Sequence, residues 1–238
     1  MIPKKLHVTF GTKDLPLVYR DNLAKWKHIC PDWQHCFYTD EDVYLFFKTH
    51  FPHYYQELFK IPYKVILADC FRYAVLCIYG GLYTDIDTFP LKEIPEEWLA
   101  YGCVLGYEYQ PSKFPELFRP VRGQKATICQ WTLLGEPNYL LYHKALEEAF
   151  RRLKDLNYQL KTVSHVLRTT GPYMVTDIFE HYQHQKELLL LDADYFGCCV
   201  QKHFLPTERS VIYHQYHGAN RWMMELRLPH LDFGYRKR

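Results

Sequence analysis

The chain has 238 residues, of which 48% are hydrophobic and 24% are charged, and its formal net charge is +2 at pH 7. A chain of this length buries a substantial core, and no linker rich in Gly, Ser or Pro divides it, so we expect one domain over residues 1–238. The near-neutral charge argues against nucleic acid as a partner, because domains that bind nucleic acids usually carry a marked basic excess.

The first third of the chain predicts strands that alternate with helices. Residues 5–10 and 34–38 predict strands, and residues 17–28 predict a helix between them. Thr39 with Asp42 three residues later has the pattern of a capping box and predicts the start of a second helix. This alternation favours an α/β fold with a mixed, mostly parallel sheet flanked by helices, and ligands in such folds gather at the carboxyl ends of the strands.

The next predicted helix, residues 64–78, places two charged side chains side by side. Its apolar residues recur at helical spacing, so Asp69 and Arg72, three positions apart, lie on one face. Such a pair on its own indicates only a local surface ion pair, which contributes little stability.

A glycine pair and two carboxylates follow this helix. Gly80 and Gly81 free the backbone to turn tightly or to approach a ligand closely. A short apolar run then ends in Asp85 and Asp87, which as alternate strand residues would point to one side and share a hard cation through oxygen atoms. Isolated Asp-x-Asp pairs are common in turns, and here the preceding helix and glycine turn favour a metal site.

The rest of the chain continues the α/β pattern. Residues 139–153 predict an amphipathic helix, and Pro172 after Gly171 predicts the start of another. Four further segments predict strands, the last of which would complete the sheet: residues 101–107, 127–134, 188–191 and 211–214.

The order of these motifs resembles a known family. Their signature is similar to that of glycosyltransferase family 32, whose members carry a DXD sugar-binding region and are related to yeast Golgi mannosyltransferases. This family is more distantly related to the clostridial glucosylating toxins. The segments that carry the resemblance are Ala68-Asp69-x-x-Arg72-Tyr73, Tyr79-Gly80-Gly81-Leu82-Tyr83, Asp85-x-Asp87, Thr170-Gly171-Pro172 and His217-Gly218-Ala219-Asn220-Arg221-Trp222. The resemblance implies a GT-A fold, which is Rossmann-like.

The same resemblance implies a retaining, metal-dependent hexosyltransferase. The donor would be a UDP- or GDP-hexose, the acceptor a hydroxyl of a glycan, lipid or protein, and the cation Mn²⁺ or Mg²⁺. Asp87 would bind the cation directly, Asp85 would contact the ribose or a metal-bound water, and His217 would complete the metal site, with His214 as the competing candidate.

Asp69 and Arg72 would hold the donor sugar by the same resemblance, and the turn after the first strand would receive the base. Relatives commonly have a small hydroxyl residue just before Trp222 and an asparagine near Gln130, and because this chain departs at both places the acceptor side stays open. The candidate donor-binding residues are Thr9, Phe10, Gly11, Asp69, Arg72, Gly81, Asp85, Ile86 and Trp222.

Three other functions fit parts of the sequence. A phosphatase of the haloacid dehalogenase type would use two aspartates spaced like Asp85 and Asp87, but such enzymes have a threonine where this chain has Phe89. A non-catalytic nucleotide-sugar-binding protein would need no intact acidic pair, so the presence of both Asp85 and Asp87 argues against this function. A nucleotide-sugar hydrolase without a physiological acceptor remains an alternative.

Cysteine usage and the absence of long apolar runs bear on location. The eight cysteines include no Cys-x-x-Cys spacing, and several lie in apolar surroundings, which favours reduced thiols. No apolar signal segment follows Met1, and no run is long enough to span a bilayer. We therefore expect a cytoplasmic protein if the chain is full length, and the Golgi lumen if it is trimmed from a longer one. The oligomeric state is open.

Overall fold

A computed structural model describes residues 1–111, 125–185, 187–198 and 205–227. Two short 3-10 helices, Gln56–Lys60 and Glu96–Ala100, accompany the regular elements. The strands are β1 (Lys5–Thr9), β2 (Gln34–Tyr38), β3 (Gly81–Thr84), β4 (Thr88–Pro90), β5 (Cys103–Tyr109), β6 (Thr127–Ile128), β7 (Thr132–Gly135), β8 (Leu188–Leu191) and β9 (Ile212–His214). The helices are α1 (Leu17–Ile29), α2 (Asp40–His50), α3 (Pro52–Tyr55), α4 (Lys64–Tyr79), α5 (Leu140–Asp155), α6 (Val163–Thr169), α7 (Pro172–Tyr182), α8 (Ala193–Phe196) and α9 (His217–Arg227).

The main sheet contains seven strands in the order β2-β1-β3-β7-β5-β6, with β8 paired to β5. β1 pairs in parallel with both β2 and β3, and β5 pairs in parallel with β8. β7 runs antiparallel to β3 and β5, and β6 runs antiparallel to β5. Five strands (β1, β2, β3, β5 and β8) therefore share one direction, which confirms the expected mixed α/β fold. The carboxyl ends of β1 and β3 meet at one edge of the sheet.

Helix α4 is buried along most of its length. It contains no glycine or proline, it begins after the extended residue Tyr63, and it ends at Gly80, whose φ of +59° stops the helix. Cys70, Phe71 and Leu76 on this helix are fully buried and pack in the core beneath the sheet. Burial of each large apolar side chain stabilises the fold by about 1.5–3 kcal/mol. Asp69 and Arg72 are buried with them, so the expected surface ion pair is not at the surface.

The glycine pair after α4 allows neighbouring segments of the chain to pack closely against the backbone. Gly80 and Gly81 have φ values of +59° and +100°, which favour glycine. A Cβ atom at Gly80 would lie 2.6 Å from Cδ of Pro137, and one at Gly81 would clash with the carbonyl oxygen of Lys5. Gly81 begins β3 and the acidic pair follows the other end of that strand, so the structure gives Gly81 a packing role against β1.

Three predicted strands differ from the observed ones. Segment 127–134 is two strands, β6 and β7, because Cys129 and Trp131 between them make backbone hydrogen bonds to Gly106 and Asp85 instead of continuing a ladder. The strand predicted at 101–107 begins at Cys103. Segment 211–214 contributes β9, which pairs antiparallel with β4 in a separate two-stranded sheet and does not complete the main sheet.

None of the helices in the described parts of the chain is both long and apolar enough to cross a membrane.

Candidate active site

The two acidic residues lie in a turn between β3 and β4. The backbone N–H of Asp85 donates to the carbonyl oxygen of Trp131 at 2.9 Å, and both the N–H and the hydroxyl of Thr88 donate to the carbonyl oxygen of Asp85, at 3.0 and 2.6 Å. The expectation that Asp85 and Asp87 alternate along a strand is therefore wrong. They come together because the turn is held by these hydrogen bonds and because a third residue joins them.

That third residue is His214, at the end of β9. The pairing of β4 with β9 sets Thr88 opposite His214 and so brings the imidazole to the acidic turn. Its Nε2 atom lies 3.2 Å from Oδ1 of Asp87 and 3.9 Å from Oδ2 of Asp85. Ligand atoms of the three residues lie within 4.8 Å of one another. Carboxylate oxygens and an imidazole in this spacing suit one hard divalent cation, so the residues fit the expected Mn²⁺ or Mg²⁺.

His217, predicted from the sequence as the third metal ligand, is not part of this group among the residues that the structure describes. It begins α9, and its ring centroid lies 6.1 Å from that of Tyr19. The structure thus gathers His214, the competing candidate, beside the acids. Sequence alone offered no way to choose between them, because the β4–β9 pairing decides which histidine faces the turn.

Asp87 is held at both oxygens. Oδ1 accepts from His214, and Oδ2 accepts from the backbone N–H of Gly218, in the first turn of α9, at 3.0 Å. Burial by itself would raise the pKa of Asp87, but the His214 contact and the Gly218 N–H lower this pKa below its usual value, so the carboxylate stays ionised. Burial would likewise lower the pKa of His214, but Asp87 and Asp85 raise it.

Arg72 links α4 to the acidic turn. Its Nη2 atom lies 3.0 Å from Oδ1 of Asp69 and 3.1 Å from Oδ1 of Asp85, and its Nη1 donates to the carbonyl oxygen of Gln130 at 2.9 Å. The guanidinium also lies 5.0 Å from the ring centre of Tyr83. Burial would lower the pKa of Arg72, but Asp85, Tyr83 and Asp69 raise it, so the bridge stays charged. This buried bridge between two carboxylates replaces the local ion pair that helical spacing indicated.

Asp69 has a second donor that sequence reasoning missed. The hydroxyl of Thr170 donates to Oδ2 of Asp69 at 2.7 Å, and the carbonyl oxygen of Thr170 accepts from Tyr73 and Gln130 at 2.8 and 2.7 Å. Burial raises the pKa of Asp69 to about 6, while Arg72 and Thr170 oppose that rise. The resemblance of Thr170-Gly171-Pro172 to a family landmark was the available signal for this role.

Two cavities share a wall at this site. The first has a volume of 160 Å³ and the second 350 Å³. The shared wall is formed by Val65, Arg72, Asp85, His214 and Trp222. Asp87 lines the first cavity and Asp69 the second. The acidic turn therefore stands where the two spaces meet.

Most of the predicted donor-binding residues lie on the first cavity. Thr9, Phe10, Ile86 and Trp222 line it, together with the charged residues Asp40 and Lys64. Gly11 stands beside these two, since a Cβ placed on it would lie 3.5 Å from Oδ2 of Asp40 and 3.6 Å from Nζ of Lys64. Asp69 lines the second cavity instead, and Gly81 lines neither.

The second cavity is rich in aromatic side chains, and of these the sequence assigned only Trp222 to a site. Glu108 also lines it, and the hydroxyl of Tyr216 donates to Oε1 of Glu108 at 3.1 Å. The aromatic lining residues are Tyr109, Trp131, Tyr173, Tyr216 and Trp222.

Comparison with known proteins supports the resemblance noted in the sequence. Residues 16–105 match the family described as "Glycosyltransferase sugar-binding region containing DXD motif". The chain is 30% identical over 175 residues to "Initiation-specific alpha-1,6-mannosyltransferase" of Schizosaccharomyces pombe, which covers 66% of this chain and 43% of that protein. It is 32% identical over 188 residues to "Inositol phosphoceramide mannosyltransferase 2" of the same yeast, covering 78% of this chain and 48% of that protein.

These curated relatives are longer, and the chain spans about half of their length or less. Among solved structures, "PaToxG Glycosyltransferase" superimposes with a TM-score of 0.53 at 17% identity, over 76% of this chain and 70% of that one. The structural match supports the fold alone. Together the matches confirm the resemblance to glycosyltransferase family 32 and the GT-A type of fold.

Proposed function

We propose that this relative of the family 32 glycosyltransferases transfers a hexose from a nucleotide sugar to an acceptor hydroxyl, with a divalent cation held at Asp85 and Asp87. The observation that carries the proposal is the convergence of Asp85, Asp87 and Arg72 where two cavities meet. A transferase needs two adjoining spaces, one for the donor and one for the acceptor, with the groups that stabilise the leaving diphosphate between them.

The acidic turn fits a cation that carries a diphosphate. The side chain of Asp85 is 27% exposed and that of Asp87 is 7% exposed, so the turn offers one accessible and one buried carboxylate. Each oxygen of Asp87 accepts one hydrogen bond and keeps a further lone pair for a cation. A bound divalent cation would stabilise the negative charge that develops on the diphosphate as its bond to the sugar breaks.

The first cavity is the proposed place of the nucleotide. Phe10 offers a ring on which a base can stack, and Lys64 lies 3.9 Å from Asp40 across the same cavity. Lys64 is 41% exposed and can donate to phosphate or ribose oxygens. The position of Thr9 and Phe10 after β1, at the carboxyl edge of the sheet, follows the usual location of ligands in α/β folds.

The hexose is proposed to lie against Asp69 and Arg72. The Nε–H of Arg72 is buried and has no acceptor in the described part of the chain, so it can donate to a sugar hydroxyl. Asp69, once ionised, can accept from another hydroxyl. Because Arg72 also binds Asp85, contact with the sugar would fix the ring relative to the acidic turn. Holding the reacting groups in register contributes several powers of ten to such a reaction.

The acceptor is proposed to enter the second cavity, where aromatic rings can stack on a sugar and Glu108 can accept from a hydroxyl. Retention of anomeric configuration is what the family resemblance implies, and we propose front-face attack by the acceptor hydroxyl on the same side as the leaving diphosphate. The departing phosphate would take the proton of that hydroxyl, so no covalent nucleophile is required from the protein.

The test is release of nucleoside diphosphate from a panel of UDP- and GDP-hexoses, with and without Mn²⁺ and with and without saccharide acceptors. Mannose donors come first, because the matched relatives are named as mannosyltransferases. We expect release that needs both cation and acceptor. Release unaffected by any acceptor would favour the hydrolase alternative, and donor binding without any release would favour a binding protein. A melting-temperature shift identifies the donor that binds the folded protein.

A further inference from the structure

We propose that the outer edge of β2, together with helix α2, binds an extended acidic segment of a partner protein, which adds a strand to the main sheet. β2 ends the seven-stranded sheet on this side, and within the described part of the chain it pairs only with β1. The inference does not depend on the proposed function, because this surface shares no lining residue with the two cavities at the acidic turn.

The first observation is the direction of the backbone groups along β2. The N–H of Gln34 and the carbonyl oxygen of Tyr38 both hydrogen-bond to the segment that contains β1, at 2.9 and 3.0 Å. Successive residues of a strand present their N–H and C=O groups to opposite sides. His35 and Phe37 therefore present theirs to the outer edge of the sheet, where a further strand would pair.

The second observation is that this edge lacks the features that usually protect an edge strand. β2 has the sequence Gln-His-Cys-Phe-Tyr, with no Pro, Lys, Arg, Asp or Glu, and its register with β1 continues without a bulge over all five pairs. Edge strands commonly carry charged residues, proline or a bulge because an unprotected edge pairs with other chains. The edge of β2 is thus suited to accept another strand.

The third observation is a groove beside this edge. A cavity of 670 Å³ is lined by β2 residues from Gln34 to Tyr38 on one side and by α2 residues from Asp42 to His50 on the other. We call it the β2 groove. A strand of five residues is about 17 Å long, so the groove accommodates an extended segment of about that length. Leu45 of α2 lines the groove with 62% of its surface exposed and offers an apolar contact.

Charge in the β2 groove favours an acidic occupant. Lys5 lines the groove half-buried, its Nζ atom lies 5.1 Å from the ring centre of Tyr79, and it forms no ion pair with a described residue. Asp42, the acid that lines the groove, already accepts from the N–H and the hydroxyl of Thr39 at 2.9 and 2.7 Å. These bonds and the charge of Lys13 lower the pKa of Asp42. Lys5 is therefore the cation that a carboxylate of the partner would neutralise.

These features match the recognition of a peptide by strand addition. In this mode the main-chain hydrogen bonds supply affinity, and alternate side chains of the peptide supply specificity by entering the groove. Here the edge groups of His35 and Phe37 would bind the peptide backbone. One groove-facing side chain would be acidic, to meet Lys5, and another aliphatic, to meet Leu45.

The probe is a set of labelled heptapeptides with blocked ends, threonine at the odd positions and varied residues at the even positions, assayed by fluorescence anisotropy. We expect binders with Glu or Asp at one terminal even position and aliphatic residues at the other two. Exchange of that acid for lysine should weaken binding about tenfold. Absence of any binder in the set, or binders without an acid, would overturn the proposal.

Lys5→Glu should reverse the preference for the acid, and Lys5→Met should remove it. The matched control is Lys27→Glu on α1, an exposed lysine outside the β2 groove, which undergoes the same charge change and should keep the preference. Melting temperatures show whether each variant is folded. A preference for the acid that survives in folded Lys5→Glu and Lys5→Met would contradict the role of Lys5.

Amide hydrogen exchange of the unsubstituted protein tests the pairing without any variant. With the tightest heptapeptide at saturation, the N–H groups of His35 and Phe37 should exchange at least about tenfold more slowly, while those of Gln34 and Cys36, which face β1, keep their rates. Binding without this protection would rule out strand addition. Slow exchange of both amides before peptide is added would also overturn the proposal, since the edge would then be covered by the chain itself in a monomer, or by a second copy in a dimer, and sedimentation distinguishes the two.

Discussion

Arg72 of helix α4 binds Asp85 of the acidic turn, with Nη2 and Oδ1 3.1 Å apart. The same nitrogen lies 3.0 Å from Asp69, one helical turn earlier. The buried guanidinium of Arg72 therefore joins the helix that would hold the sugar to the turn that would hold the metal ion. Neither carboxylate can shift without changing the environment of the other, so the stability and the chemistry of the site are coupled.

Arg72→Ala should lower the free energy of unfolding by about 3–5 kcal/mol, because it leaves buried Asp69 with an uncompensated charge. Urea denaturation measures this change. The matched control is Arg151→Ala on α5, whose side chain is 58% exposed, and it should cost less than about 1 kcal/mol. Equal losses in the two variants would contradict the bridging role of Arg72.

Asp87→Asn should abolish Mn²⁺-dependent release of nucleoside diphosphate while the protein stays folded. The amide keeps the shape of the side chain but removes the charge that would bind the cation. Mn²⁺ affinity, measured by EPR, should fall more in Asp87→Asn than in Asp85→Asn, since we assign direct ligation to Asp87. Asp32→Asn, an exposed aspartate paired with Lys4, serves as the control and should leave the affinity unchanged. A larger loss in Asp85→Asn would reverse the assigned roles.

Thr170→Val should shift the pH dependence of sugar transfer. Burial raises the pKa of Asp69 to about 6 and the Thr170 hydroxyl opposes that rise, so loss of the hydroxyl should raise this pKa further. The proposed contact of Asp69 with the sugar needs the ionised carboxylate, so the acidic limb of the kcat/KM profile, near pH 6, should move to higher pH. Thr170→Ser should restore the profile. An unshifted limb in Thr170→Val would show that Thr170 does not act through Asp69.

Buried His7 should make the fold acid-sensitive. Burial lowers the pKa of His7 to about 4, against the opposing effect of the Gly80 carbonyl that accepts from Nε2. In the unfolded chain a histidine has a pKa of about 6.5, so between pH 6.5 and 4 the unfolded state binds more protons, and stability should fall by up to about 3 kcal/mol as the pH drops. His7→Gln, which keeps a donor to Gly80 but does not titrate, should flatten this dependence in urea melts. An equally steep dependence in His7→Gln would place the effect elsewhere.

Gly81→Ala should destabilise the fold by about 1–3 kcal/mol, since φ at this residue is +100° and the new methyl group meets the Lys5 carbonyl oxygen. Gly11→Ala, at a position where the nearest atoms to a Cβ are side-chain atoms at 3.5 Å or more, should change stability little. Thermal unfolding compares the two. A small effect at Gly81 would argue that the β1–β3 contact is looser than described.

Prediction from sequence succeeded where the signal was local. The helix around Asp69 and Arg72, the capping box of Thr39 and Asp42, and the strand at residues 34–38 were all predicted, since each depends on residue spacing within one element. The reason given for the convergence of Asp85 and Asp87 was wrong, because a turn and not strand alternation brings them together. Thr170 and Glu108 were missed as site residues, since each reaches its partner over about a hundred positions of chain.

The sequence by itself determined the α/β pattern, the candidate acids and the family resemblance, because periodicity and short motifs depend only on residues that are close together in the chain. Only the tertiary structure decided that β9 pairs with β4, that His214 and not His217 meets the acids, and that Arg72 is buried between two carboxylates. The β4–β9 pairing joins strands far apart in the chain, and the burial of Arg72 depends on how the sheet and α4 pack, which no local pattern records.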